Sequence, residues 1–269
     1  MHSAILDMTN ETILRNVYAR LLIEGQLVKP RGLQVLEAEN FDYELPPYCR
    51  FIKFAARKLN IPYIKKEFMW YLKGQANDVS IAQHAALWNS AIKDDGTINS
   101  NYGQYIFGQM RQFDNVVRIL TSDSDSRKAS IVILTDKHLQ SNDADTPCTY
   151  SLNFRIRKNY LNMTVRMRSQ DAIYGMGSDV PCFSFIHEMI LHTLREKYPA
   201  LMYGMYYHSN DSFHVYEKHW PMLKLIAHDD KFEQYDCPQM SGAAEVRFLR
   251  AMEFDEVPDE YQFTKWLIQ

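Results

Sequence analysis

The chain has 269 residues, 46% of them apolar and 13% aromatic, enough to bury a core and too hydrophobic for a disordered polymer. Its formal net charge of −3 supplies no broad basic surface for direct nucleic-acid binding, although a pocket for a small anion needs only a few local arginines. No apolar run reaches a membrane span, residues 1–10 lack the basic start and apolar centre of a secretory leader, and the four cysteines (Cys49, Cys148, Cys182, Cys237) show no CxxC or zinc-ligand spacing, so the expectation is a reduced, cytoplasmic, metal-free protein.

No repeat, low-complexity tract or Pro/Gly-rich linker divides the chain, which reads as one domain over residues 1–269. Thr9, Asn10 and Glu11 form a cap for a helix whose apolar positions Ile13, Val17, Leu21 and Leu22 recur at helical spacing. Residues 63–73, 79–94 and roughly 104–121 also read as helices, and residues 129–134 as a short strand. In 150–157, Leu152, Phe154 and Ile156 alternate with Asn153, Arg155 and Arg157; in 161–167, Leu161, Met163, Val165 and Met167 alternate with polar residues. Lys158–Asn159 between them predicts an antiparallel hairpin. A long buried helix follows over 183–198, then strand-like segments at 201–207 and 212–215 and a helix near 217–227. The sum is an α+β fold, a mixed sheet covered by helices.

Cys148 stands in Thr146–Pro147–Cys148–Thr149, at the entry to a predicted strand. Alone, such a cysteine reads as structural. Its company is unusual: Arg168–Ser169–Gln170–Asp171, Gly175 and Asp179 come after it, then His214–Val215–Tyr216. Before it come Glu67 in the run Glu67–Phe68–Met69–Trp70–Tyr71–Leu72–Lys73–Gly74, then Trp88, Asn101–Tyr102–Gly103 and Asp125–Ser126–Arg127–Lys128. This ordered set, spread over roughly residues 20–220, resembles the thymidylate synthase family, and within it most closely the bacteriophage deoxycytidylate (dCMP) hydroxymethylases.

The resemblance implies a thymidylate synthase-like fold and a sheet-to-sheet homodimer. Cys148 would be the covalent nucleophile, since a thiolate both adds to a pyrimidine C6 and leaves again. Arg168 would favour the thiolate and, with Ser169 and the partner-subunit pair Arg127 and Lys128, would hold the 5′-phosphate. Arg31 and Asp171 would join the substrate-binding residues. His214 and Tyr216, two apart on a strand and so on one face, would meet the sugar 3′-hydroxyl. Glu67, a carboxyl in an apolar run, would carry protons around the base. Trp88, Tyr102, Asp171 and Gly175 would line the site of the co-substrate 5,10-methylenetetrahydrofolate, and no metal is implied.

Asp179 carries the base reading. The synthases usually have asparagine there, which suits uracil; a carboxylate accepts from the N4 amino group of cytosine instead. Its plainer reading is a cap for a helix starting near Pro181. Thr149 in place of the usual histidine, and Ala91 in place of a second tryptophan, leave room for an ordered water, which favours a hydroxymethyl over a methyl product. Rival readings are dCMP methylation with dihydrofolate released, a cytidylate substrate, ordinary thymidylate synthesis, and a catalytically retired binding or RNA-regulatory relative. The ending Trp266–Leu267–Ile268–Gln269 is expected to close over the folate as a tail.

Overall fold

The side chain of Thr9 accepts the Thr12 N–H at 3.2 Å and starts helix α1 (Asn10–Glu24), as the cap signal predicts. The computed structural model describes residues 8–269; of the stretch 1–10 read above for a leader, residues 1–7 lie outside the described residues. α1 buries Ile13, Leu14, Val17, Tyr18 and Leu21. Strands β1 (Gln26–Val28) and β2 (Val35–Leu45) come next, and neither was legible in the sequence pattern.

Helix α2 (Ile61–Lys73) begins two residues before the predicted 63. Asn60 caps it by accepting the Tyr63 N–H at 3.1 Å, Pro62 occupies its first turn, and Gly74 ends it in the left-handed region (φ 61°). The helix expected over 79–94 does not form. Ser80–Gln83 and Ala86–Ala91 are separate 3₁₀ turns, split by an extended Ala85, and Asp78 takes the Ser80 N–H in a side-chain turn. Leu87 is 63% exposed, so the apolar spacing there marks no buried face. The segment 104–121 is likewise two helices, α3 (Tyr102–Ile106) and α4 (Gln112–Ser122). Between them Gly108 lies against the Gly74 backbone and Arg111 turns left-handed (φ 48°), which no continuous helix allows.

After β3 (Ser130–Val132) and the short α5 (Asp136–Gln140), β4 (Thr149–Arg157) and β5 (Tyr160–Met167) form the predicted hairpin. Leu152 faces Val165 and Phe154 faces Met163. Lys158 and Asn159 both take positive φ (51° and 62°), the two-residue turn that matches strand twist. The two-residue β6 (Gln170–Asp171) leads into α6 (Gly175–Leu194), which starts well before Pro181 and ends before 198. Pro181 lies inside this helix, so Asp179 is a helical residue and not its cap.

The two strands expected at 201–207 and 212–215 are one, β7 (Met202–Tyr216). The polar stretch Ser209–Asn210 hid its continuity, but β2 pairs with it from Leu45↔Tyr206 to Val35↔Tyr216. A 3₁₀ turn leads into α7 (Trp220–His228), and α8 (Ala243–Ala251) and α9 (Gln262–Ile268) complete the chain. The sheet runs β1-β2-β7-β5-β4-β3, with β6 beside β7. β7 is antiparallel to β2 and parallel to β5 and β6, so the sheet is mixed, and with its helices the fold is α+β. The buried α6 is fastened to it by Tyr203 Oη donating to Ser184 O at 2.9 Å and by a 2.8 Å bond between His187 Nε2 and Leu161 O. Arg50 pairs with Glu188 of α6, both fully buried, and Glu188 also accepts the Met240 N–H, so the charge is satisfied rather than stranded.

Candidate functional site

The β4–β5 hairpin brings Cys148 and Arg168 together, since each flanks one of its strands at the open end, where Thr149 faces Met167. The Arg168 N–H donates to Cys148 O at 2.9 Å; its guanidinium donates to Pro147 O at 3.0 Å and Thr146 O at 2.8 Å and lies 3.6 Å from Cys148 Sγ. The backbone thus fixes the guanidinium against the thiol. The expectation that Arg168 favours the thiolate holds only in part. Burial pushes the Cys148 thiol above its ordinary value, Arg168 pulls it down, and Asp179 and Asp145 push it up again. Cys148 is half-buried, whereas Cys49 and Cys182 are buried.

Tyr102, at the start of α3, accepts the Cys148 N–H on its hydroxyl at 3.3 Å and stacks on Phe183. The loop before it is tied to the strand entry by Asp145, which accepts the Ser100 N–H and hydroxyl, each at 2.6 Å. Thr149 is fully buried, and its hydroxyl lies within hydrogen-bonding reach of the Tyr102 hydroxyl. Ala91 is half-buried at the end of a 3₁₀ turn.

Glu67 projects from α2 into the interior. Tyr71 Oη donates to its Oε1 at 3.2 Å, and the hydroxyls of Ser178 and Tyr63 also reach the carboxyl. Burial raises its pKa to about 7, against the pull of the Ser178, Tyr71 and Tyr63 hydroxyls. Tyr63 in turn accepts the Trp88 indole N–H at 2.9 Å, so Trp88 is linked to the Glu67 surroundings. Asp179, on α6, is raised further, to about 8; burial is the main cause, Gln170 opposes it, and the charges of Glu67 and Asp171 add to it. These are two buried carboxyls close enough to disfavour each other's ionisation.

Gln170 was quoted in the sequence only as part of a motif, yet it is 1% exposed and donates from Nε2 to Asp179 Oδ2 at 3.1 Å. Tyr43 of β2, which no sequence signal marked, donates its hydroxyl to Gln170 Oε1 at 2.9 Å. Gly175 opens α6 above this pair; a Cβ there would come 3.4 Å from Asp179 Oδ2 and 3.6 Å from Gln170 Cγ. Arg57, also unpredicted, donates to Ile173 O, and its guanidinium fills the space that a side chain at residue 177 would need, which explains Gly177.

Parallel pairing of β6 with β7 sets Asp171 beside His214. Asp171 Oδ1 accepts the Ile173 and Tyr174 N–H groups, and its Oδ2 is buried and unpartnered. Burial lowers the His214 pKa, Asp171 opposing, so the imidazole is held neutral; it sits edge-on to Tyr216, 5.4 Å between centroids, on one face as predicted. Ser169 is half-buried between Arg168 and Gln170. Arg31 is exposed in a turn (φ 52°), yet its charge lowers both the Cys148 thiol and the His214 imidazole, which places it near both.

Arg127 and Lys128 are not brought into this group. Both are exposed on the loop between α4 and β3, and their charged ends make no hydrogen bond or ion pair among the described residues. The C-terminal residues are not an extended tail: α9 is docked, with Leu267 buried and Trp266 Nε1 donating to Tyr235 Oη at 2.7 Å. A cavity of about 700 Å³ lies over the sheet between α1 and β2, β4, β5 and β7; it is lined by Arg20, Arg155 and Arg166 among others, and reaches the site's edge at Tyr43. Among the described residues no group of three or more His, Cys, Asp or Glu could hold a metal, and no helix is long and apolar enough to cross a membrane.

A thiol held against a guanidinium, two buried protonatable carboxyls and the buried, unpartnered Oδ2 of Asp171 suit covalent addition with local proton transfer. Comparison with known proteins gives the family. The thymidylate synthase family model matches residues 35–262. The deoxycytidylate 5-hydroxymethyltransferase of Enterobacteria phage T6 is 28% identical over 176 residues, 61% of this chain and 71% of the relative. The deoxyuridylate hydroxymethyltransferase of Bacillus phage SP01 is 27% identical over 218 residues, 75% of this chain and 55% of that relative. The thymidylate synthase of Fusobacterium nucleatum is 26% identical over 187 residues, 67% of this chain and 64% of that relative.

Proposed function

The chain belongs to the thymidylate synthase family, and from that premise we propose that it is a deoxycytidylate 5-hydroxymethyltransferase, forming 5-hydroxymethyl-deoxycytidylate through a Cys148–C6 adduct. The observation that carries the substrate reading is Asp179, a buried carboxyl raised to about 8. Near neutral pH it largely holds a proton, and cytosine N3 needs one as the thiolate adds to C6. The carboxylate left behind accepts the N4 amino group. A uracil edge would set acceptor against acceptor at O4, a mismatch worth on the order of 1–3 kcal/mol.

5,10-Methylenetetrahydrofolate supplies the one-carbon unit that C5 attacks, and the unpartnered Asp171 Oδ2 with Trp88 and Gly175 are the groups that would receive it. Arg168 steadies the thiolate and, with Arg31 and Ser169, takes the 5′-phosphate; His214 and Tyr216 take the sugar. Glu67, half-ionised near neutral pH, passes protons as C5 loses its hydrogen. Tetrahydrofolate leaves from the one-carbon unit as C5 gives up that hydrogen, so that an exocyclic methylene remains; water adds to it with loss of a proton, C5=C6 re-forms, and Cys148 leaves with the electron pair of the C6–S bond. The buried Thr149 hydroxyl beside that of Tyr102 supports water as terminal nucleophile, because together they offer that water a hydrogen bond. The exposed, unengaged Arg127 and Lys128 support a homodimer in which each would complete the phosphate site of the partner subunit. Nucleotide and folate substrates would put the reaction in the cytoplasm.

The test is mass spectrometry of the product from deoxycytidylate and methylenetetrahydrofolate, with deoxyuridylate in parallel and absorbance followed for dihydrofolate. A hydroxymethylated cytosine without dihydrofolate is expected. A methylated base with dihydrofolate overturns the water step, and turnover of deoxyuridylate alone overturns the substrate.

A further inference from the structure

A carboxylic acid is an ambiguous reader of a pyrimidine edge. Cytosine presents an acceptor at N3 and a donor at N4; uracil presents the reverse order at N3 and O4. An acid that can carry its proton on either oxygen matches both orders. Whatever chooses the oxygen chooses the base.

Three residues in line make that choice. The Tyr43 hydroxyl is buried, and the only acceptor it meets among the described residues is Gln170 Oε1, at 2.9 Å. Its hydrogen therefore goes to Oε1, since an unpaired buried donor is costly. That fixes the amide: the NH₂ end faces Asp179 and donates to Oδ2 at 3.1 Å. An oxygen that accepts from Gln170 accepts better as C=O than as C–OH, so the acid proton of Asp179 is favoured on Oδ1. His208 stacks on the Tyr43 ring, 4.7 Å between centroids, which holds the ring in place, and the orientation of the buried Gln170 amide then rests on the Tyr43 hydroxyl.

We propose that Gln170, oriented by Tyr43, is a specificity-determining positioning residue: it fixes which oxygen of Asp179 bears the proton and so restricts the acid to one of the two pyrimidine edges. That the edge is cytosine's rests on the function proposed above. Neither Gln170 nor Tyr43 needs to touch the base.

The experiment measures kcat/KM for deoxycytidylate and deoxyuridylate in the wild type, Gln170→Leu, Tyr43→Phe and the double variant, with melting temperatures recorded for each. Leucine nearly keeps the volume of glutamine, and Tyr43→Phe removes one oxygen while leaving the amide in place but free to turn. Each single variant is expected to lower the preference for deoxycytidylate by about tenfold, the scale of one misplaced buried hydrogen bond, partly through gained deoxyuridylate turnover. The double variant should do no worse than Gln170→Leu alone, because the residues act in series. If both substrates lose activity in proportion and the ratio stays fixed, Gln170 is only structural and the inference is overturned. A wild type that prefers deoxyuridylate would sink the substrate reading alone; a preference that still collapses in both variants would uphold the role of Gln170.

Discussion

At the scale of single residues, Cys148 is defined less by its own reactivity than by what is bonded to its backbone. Tyr102 receives its N–H and Arg168 donates to its C=O, so the sulfur has little freedom to drift from the guanidinium. Cys148→Ser preserves these bonds. It is expected to fold and bind nucleotide yet lose exchange of the C5 hydrogen with solvent, followed by NMR in deuterium oxide; exchange at the wild-type rate would remove the sulfur from the chemistry. Cys148, Glu67, Arg168 and Asp179 were legible in the sequence because each belongs to a spaced motif of chemically committed side chains. Gln170 was visible but mute, since an amide has no role until its partners fix its orientation. Tyr43 was invisible: it lies on a strand that periodicity did not reveal, 127 residues from its partner.

Among the elements, the hairpin was readable because its alternation and its turn agree, whereas β7 was split by a polar stretch that only pairing with β2 makes continuous. Helices failed where backbone must approach backbone. Gly103 shows why: a Cβ there would lie 2.2 Å from Tyr71 O and 2.4 Å from Tyr71 Cα, so α2 and α3 cross in contact through it. Gly103→Ala must push α3 away, and with it Tyr102. We expect destabilisation of roughly 2–4 kcal/mol, read by denaturant unfolding, as for overpacked cores. Activity should fall further than stability alone accounts for. An alanine variant as stable as wild type would show that the helices part at little cost.

For the molecule as a whole, the two carboxyls set how stability follows pH. Both have folded-state values raised above their ordinary ones, Glu67 from 4.5 to about 7 and Asp179 from 3.8 to about 8. In that window the folded chain keeps protons that the unfolded chain has released. Their contribution to the stability of the unliganded protein should therefore be lost as pH rises to about 8; below about pH 6.5 it is opposed by the buried imidazoles of His187 and His208, which burial lowers to about 3 and which favour folding as pH rises. Glu67→Gln abolishes one of these titrations and should be more stable than wild type at pH ~8.5 by up to about 3 kcal/mol, with little difference at pH ~5, while losing activity. Urea unfolding at both values checks this; equal stabilities at high pH would mean that Glu67 ionises in the folded chain without penalty.

The line from Tyr43 through Gln170 to Asp179 also bears on how such a preference changes over generations. A lineage whose only base reader is the residue in contact must alter that residue, and risks the chemistry, to adopt a new nucleotide. On the role proposed for Gln170, the reader would take its orders from a strand on the far side of the motif, and a drift as mild as tyrosine to phenylalanine would loosen the preference while the groups proposed to meet the substrate stay in place. Relatives named for cytosine and for uracil stand at nearly the same distance from this chain, 28% and 27% identical. A scaffold with a remote selector of this kind gives descendants a broad, permissive intermediate to cross between them.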